Sequence, residues 1–183
     1  ALYNYAARVA GSVGAMMCLI MGVKNERALA RACELGLAMQ LTNIARDVGD
    51  DARNGRLYLP RTWLKEEGVD PDAWLLKPSF TPAIARVINR LLKNADELYA
   101  RSQIGIAQLP RDCRAAIFAA RLVYAQIGRE IERHHLDSVS RRAVVSGMRK
   151  KILMIRSLGA FIYSKGDDHD LVPIRAIQYL VDA

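Results

Sequence analysis

The sequence predicts an all-α protein, a helical bundle. Phe, Trp and Tyr make up only 7% of its 183 residues, while Ala, Leu, Ile and Met are frequent, a mixture that favours helix over sheet. Apolar residues recur at three-and-four spacing over long segments, and no strand-like alternation, βαβ unit or glycine-rich phosphate loop is found. The length fits one domain, residues 1–183, able to bury a real core. The chain starts inside a helical pattern with no leader or cap, so we expect a bundle incomplete at its N-terminus.

The first helix is expected over Leu2 to Met21, where Ala7, Ala10, Gly11 and Gly14 would let a neighbouring helix approach closely. Gly22 to Lys24 reads as a tight connection. Asn25 is an N-cap for a second helix running to about Asp51. Asn54-Gly55 and Pro60 mark a loop over Ala52 to Pro60. Arg61 to Glu67 makes a short helix, and Gly68 to Phe80, with Pro71 and Pro78, is expected to be irregular. Thr81 caps a helix with Pro82 at its first position, continuing to about Ala107. Pro110 opens another, ending near His135. A last helix covers Met148 to Tyr163, followed by a polar stretch from Ser164 to Asp170.

The longest apolar run, Val13 to Val23, is eleven residues with two glycines, too short to span a bilayer. No secretory signal pattern is present, and a cytoplasmic protein follows. Cys18, Cys33 and Cys113 are odd in number and widely separated, so we read them as small buried hydrophobes rather than a disulfide or zinc framework. A formal net charge of +8 favours anionic partners. No nucleic-acid motif accompanies the charge, so no nucleic-acid partner is expected. From Arg141 to Lys165 bases occur without any acid. That segment reads either as a solvated face or as a peripheral contact with an anionic membrane surface.

The chemistry-bearing segment is Gln40 to Asp51. At about 100° per residue, Gln40, Asn43, Asp47 and Asp51 fall within roughly 80° of one another, with Asp50 at the edge of that stripe and Arg46 just outside it. Apolar residues such as Leu37, Leu41, Ile44 and Val48 occupy a different arc. Two carboxylates four residues apart repel, and a divalent cation reverses that term. Magnesium takes oxygen ligands from one or two carboxylates together with water and phosphate oxygens. Asn43 adds a carbonyl oxygen, Gln40 can hydrogen-bond a water or phosphate, and Arg46 can grip a phosphate with its planar fork. The same repulsion implies that Asp47→Asn would leave stability unchanged or slightly raised. An ordinary exposed polar face has this spacing too. Against that reading stands the adjacent loop, where Arg53 and Arg56 place positive charge beside the acids.

Taken whole, QLTNIARDVGDDARNGRLYLP, Gln40 to Pro60, resembles the second aspartate-rich signature of the squalene and phytoene synthase family. The VAGSVG stretch, Val9 to Gly14 behind Tyr5, and AARLVYAQIGREI, Ala119 to Ile131, are similar to two further signatures. The wording of the loop is closer to phytoene synthases. The resemblance implies the isoprenoid synthase type of helical bundle and head-to-head condensation of two geranylgeranyl diphosphates to phytoene, through a cyclopropyl diphosphate. It implies a magnesium requirement, with manganese as a substitute and no NADPH. Carried onto matching positions, it makes Asn43, Asp47 and Asp51 metal ligands and Gln40, Asn43, Arg46 and Arg56 diphosphate contacts. Tyr5 and Tyr124, with Asp47 and Asp51, become the catalytic set, though both tyrosines also fit as core residues. A sibling enzyme of squalene or presqualene type, and a non-catalytic relative acting in assembly, remain as alternatives. The family's first aspartate-rich motif lies upstream of the VAG segment, before Ala1. Asp96-Glu97 is the nearest substitute in this chain and lacks the context.

Overall fold

The computed structural model describes residues 1–160 and 172–182. Among these residues every regular element is helical. The first helix is continuous in path but not in type: α1 (Leu2–Ala6) passes through a π-helical turn (Ala7–Gly11) into α2 (Ser12–Ile20). The turn adds a residue to the helical repeat, re-aiming Tyr5 relative to the glycines that follow. Gly22, at φ 79°, reverses the chain, and the Asn25 side chain accepts from Arg27 N and Ala28 N to start α3 (Glu26–Arg46).

α3 is the central helix. Its apolar side, including Leu37, Ala38, Leu41 and Ala45, is fully buried, and the first helix, α7 (Pro82–Ile106) and α8 (Arg111–Arg133) all pack on it. A Cβ on Gly36 would lie 2.2 Å from the Ala10 carbonyl oxygen, and one on Gly14 would lie 2.2 Å from that of Ala32. The first helix and α3 therefore touch backbone to backbone. α7 runs antiparallel to α3: Thr42 Oγ1 meets Tyr99 Oη at 3.0 Å, while nearer the start of α3 Glu34 accepts from Arg101 at 2.7 Å. Glu34 also pairs with buried Arg31 at 3.2 Å, and Arg101 donates to the Val172 carbonyl. The C-terminal segment is thereby tied to the core.

The remaining elements hold one end of the bundle. α3 does not run on to Asp51. It breaks at Asp47 (φ −100°, ψ 13°), and a separate α4 (Val48–Arg53) follows. α5 (Arg61–Glu66) stands as expected. The segment expected to be irregular contains a further helix, α6 (Pro71–Leu76). Asp70 caps it by accepting from Asp72 N and Ala73 N, and Pro71 occupies the first turn, where a missing N–H costs nothing. Thr81 caps α7 as expected, accepting from Ile84 N. After α8, His135 and Leu136 both adopt positive φ and turn the chain back. It then reaches α9 (Gly147–Ala160). The rest of the expected last helix, 161–163, and the polar stretch 164–170 lie outside the described residues. A 3₁₀ turn (Arg175–Ile177) and α10 (Gln178–Val181), not foreseen, bury Ile177 and Val181 against the first helix and α3. Cys18 and Cys33 are buried free thiols, while Cys113 is only partly covered.

Gly36→Ala is expected to lower unfolding stability by about 1–3 kcal/mol, because the obstacle is backbone and cannot rotate away. Gly147→Ala, which would meet nothing within 4 Å, should cause no loss. Urea unfolding of the two variants checks this.

Candidate active site

The end of α3, the break at Asp47 and the first turn of α4 bring Gln40, Asn43, Arg46, Asp47 and Asp51 around one depression of about 240 Å³, with Tyr5 from the first helix and Tyr58 from the following loop. The helical-stripe expectation therefore holds for all four oxygen-bearing residues, despite the break. Arg56 does not line this depression. It stands beside a smaller one that shares Asp51 and Tyr58 with it, and its charge acts on Asp51. Tyr5 stacks on Tyr58 with ring centroids 5.4 Å apart. Tyr124 sits apart from the acids, on the wall of a second, larger cavity that also takes in Gln40 and Asn43.

That second cavity, about 340 Å³, is an apolar groove between the first helix, α3, α7 and α8. Because Gln40 and Asn43 belong to both spaces, the acidic depression is the polar mouth of an apolar groove.

Four features of the mouth and its support cannot be read from the sequence. Gly49 lets the Val139 backbone lie directly on α4, since a Cβ there would fall 2.0 Å from the Val139 oxygen, and Gly49 N donates to Ser138 O at 3.0 Å. This docking carries Arg142 over the acids, where Nε donates to Asp47 Oδ1 at 2.7 Å and lies 3.5 Å from Asp50. Arg142 had read as part of a basic run, and its partner is 95 residues away. Tyr58 had been seen only as loop sequence. Tyr99, hydrogen-bonded to Thr42 and with Arg121 over its ring, braces α3 from behind.

Arg46 also turns onto Asp47, with Nε to Oδ1 at 2.8 Å and Nη2 to Oδ2 at 2.5 Å. Burial alone would push the Asp47 carboxyl up. The hydrogen bonds and charges of Arg46 and Arg142 outweigh it and hold the group below its ordinary value. Asp51 differs: burial, then the Asp47 charge, raises it, and among the described residues no side chain donates a hydrogen bond to it. Asp50 lies at the margin, paired with Arg53 at 2.6 Å. Asp96 pairs with Arg129 across α7 and α8 and forms no second acidic motif with Glu97.

Among the described residues no group of three His, Cys, Asp or Glu side chains closes around a point. Asn43, Asp47 and Asp51 nevertheless form an oxygen-only donor set, with Asp51 uncommitted. That set suits magnesium, which completes its shell with water and phosphate oxygens. The two guanidinium groups on Asp47 suit a polyanion at the same place.

The family model described as squalene/phytoene synthase matches residues 1–149. A phytoene synthase of Rhodobacter capsulatus is 55% identical over 153 residues, 84% of this chain and 45% of the relative. A 15-cis-phytoene synthase of Pantoea ananas is 39% identical, covering 91% of this chain and 53% of the relative. The crystal structure of a dehydrosqualene synthase in complex with ligand superposes with a TM-score of 0.73 at 29% identity, over 90% of this chain and 57% of that one. The chain thus spans about half the length of the relatives it matches.

The pairing reverses the expected effect of neutralising Asp47. Asp47→Asn should now lower stability near pH 7 by about 1 kcal/mol, discounted for the partial exposure of Arg142, because two guanidinium groups lose their anion. Asp51→Asn should leave stability unchanged or raise it by a few tenths. The signs follow from linkage. The Asp47 contribution is present above the ordinary carboxylate range and is lost as pH falls through its lowered folded value. The Asp51 penalty is relieved as pH falls through its raised one. Urea melts of both variants from neutral to acid pH test this.

Proposed function

The chain belongs to the squalene/phytoene synthase family, and from this we propose that its site condenses two geranylgeranyl diphosphates head to head into phytoene, for carotenoid biosynthesis. The observation that carries the reading is the junction at Gln40 and Asn43 of an acidic mouth and an apolar groove. A prenyl diphosphate has the same division, a polyanionic head on a hydrocarbon tail. The relatives named as phytoene synthases support it. A sibling enzyme of the squalene or presqualene type would share this geometry and is separated by its product. The retained oxygen donors count against a non-catalytic relative.

In this reading Asn43, Asp47 and Asp51 hold magnesium, or manganese, which when bound neutralises charge on the departing diphosphate. Arg46 and Arg142 exchange Asp47 for diphosphate oxygens as the substrate enters. Gln40 orients a bound water or phosphate oxygen, and Arg56 adds positive charge at the rim. The apolar groove excludes water from the carbocation left behind. The stacked faces of Tyr5 and Tyr58, and Tyr124 at the groove, offer quadrupole stabilisation without a strong nucleophile. No step calls for a hydride, so NADPH has no role.

In the intact protein, Asp47→Asn should cut turnover about a hundredfold or more, beyond what its stability loss explains, and Asp50→Asn should be milder. A chelator should abolish product, and magnesium should restore it without NADPH. Full activity in chelator, or squalene-type product from the fifteen-carbon substrate in preference to phytoene, would overturn the assignment.

No helix among the described residues is long and apolar enough to cross a membrane. The basic segment nonetheless has a surface suited to lying on one. On α9, Met148, Ile155 and Leu158 are 69%, 69% and 64% exposed, beside exposed Lys150, Lys151 and Arg156. Exposed apolar residues interspersed with bases fit the interface of an anionic bilayer, and a peripheral position suits a lipid-soluble product. Flotation of the intact protein with phosphatidylglycerol vesicles should fall when these three apolar residues become serine, and should be weak with phosphatidylcholine. Equal flotation of the variant, or no preference between the lipids, would refute the contact.

A further inference from the structure

A third depression, about 600 Å³, opens between the start of the first helix and the C-terminal segment. It shares no lining residue with the acidic mouth or the apolar groove. Asn4 and Arg8 line it from the first helix, and Arg175 and Tyr179 line it from the 3₁₀ turn and α10. Both walls are seated without using these four side chains. Ile177 and Val181 are buried, and Arg101 donates to the Val172 carbonyl at 2.7 Å, so the C-terminal segment is fixed on the core. On the other wall Tyr3 Oη donates to Asn94 Oδ1 at 2.8 Å, which ties the first helix to α7.

The charge of the lining has one sign. No carboxylate lines the space, and the guanidinium groups of Arg8 and Arg175 have no ion-pair or hydrogen-bond partner among the described residues. Exposure alone does not account for this. Arg61, Arg86, Arg90 and Arg129 are exposed as well, yet each meets a carboxylate at 2.6–2.9 Å. The Glu97 charge reaches Tyr3 from α7, but Glu97 stands outside the lining. The Tyr179 hydroxyl and the Asn4 amide add neutral donors. Two planar guanidinium forks match the oxygens of a phosphate in pairs, and the same two charges repel a cation.

We propose that Arg8 and Arg175 form a binding site for a phosphate oxyanion, one that bridges the first helix and the C-terminal segment, with Asn4 and Tyr179 completing the donor set. The site is independent of the reaction assigned to the mouth. Two sources supply such a group, a free inorganic anion such as diphosphate and the headgroup of an anionic phospholipid. Because the two walls meet only in the folded chain, the bound anion stabilises the fold by linkage.

Titration calorimetry and thermal melts of the intact protein test this, in chelator so that no metal-dependent binding at the mouth contributes. The probes are inorganic diphosphate and monomeric dihexanoyl phosphatidylglycerol. At least one should bind and raise the melting temperature. Arg8→Gln and Arg175→Gln should each weaken that probe about tenfold or more, with unliganded melts unchanged. Arg61→Gln, which removes an exposed guanidinium elsewhere, should leave binding as it was. Tighter binding of diphosphate identifies a free anion as the ligand, and tighter binding of the lipid identifies a headgroup; either upholds the phosphate site. Three results would overturn it: neither probe binds, both arginine variants bind as the unmodified protein does, or their unliganded melts fall because the guanidinium groups already have a partner within the chain.

Discussion

The contact on which the rest depends is the meeting of two helix backbones, the first helix on α3 at Gly14 and Gly36. With the Ala32 and Ala10 carbonyls where these glycines' side chains would otherwise be, the helices close on one another without intervening side chains. A groove is left only to one side, where α7 and α8 complete its wall. The π-helical turn ending at Gly11 belongs to the same device: Tyr5, before it, lines the acidic depression, while Gly14, after it, lies against α3. Both the apolar groove and its polar mouth follow from how closely these backbones approach.

Electrostatics then divides labour within the mouth. Asp47 and Asp51 are one turn apart, yet their surroundings push their carboxyl groups in opposite directions. Asp47 lies between two guanidinium groups, one adjacent in sequence and one delivered by the segment docked on Gly49. At Asp51 burial and the Asp47 charge outweigh the nearby Arg56 and Arg46 charges. In the proposed reading, a cation arriving with a polyanion would relieve Asp51, and the polyanion would replace Asp47 as partner for Arg46 and Arg142.

What could be read from sequence was what is encoded locally. Asn25 and Thr81-Pro82 announced their helices because caps act within one turn, and the Gln40–Asp51 stripe announced its shared face because helical periodicity is local too. The Asp70-Pro71 cap is equally local, but Pro71 and Pro78 together also signal irregular chain, so the short α6 does not stand out. Arg142, Tyr58 and the docking on Gly49 could not be read, since each acquires its meaning from a residue far away in the chain or from a loop path. The break at Asp47 belongs with these, because continuous periodicity across Gln40–Asp51 gave no sign of it. The family signatures carried what periodicity alone could not, the family to which the chain belongs.

The central claim is that mouth and groove form one prenyl diphosphate site. A crystal structure of the intact protein with magnesium and geranylgeranyl thiodiphosphate tests it most directly. The account predicts the diphosphate among Asn43, Asp47 and Asp51, Arg46 and Arg142 turned from Asp47 onto its oxygens, and the tail running along α3 toward Ala28 and Leu109. A diphosphate bound elsewhere, or a tail leaving the mouth away from the groove, would contradict it.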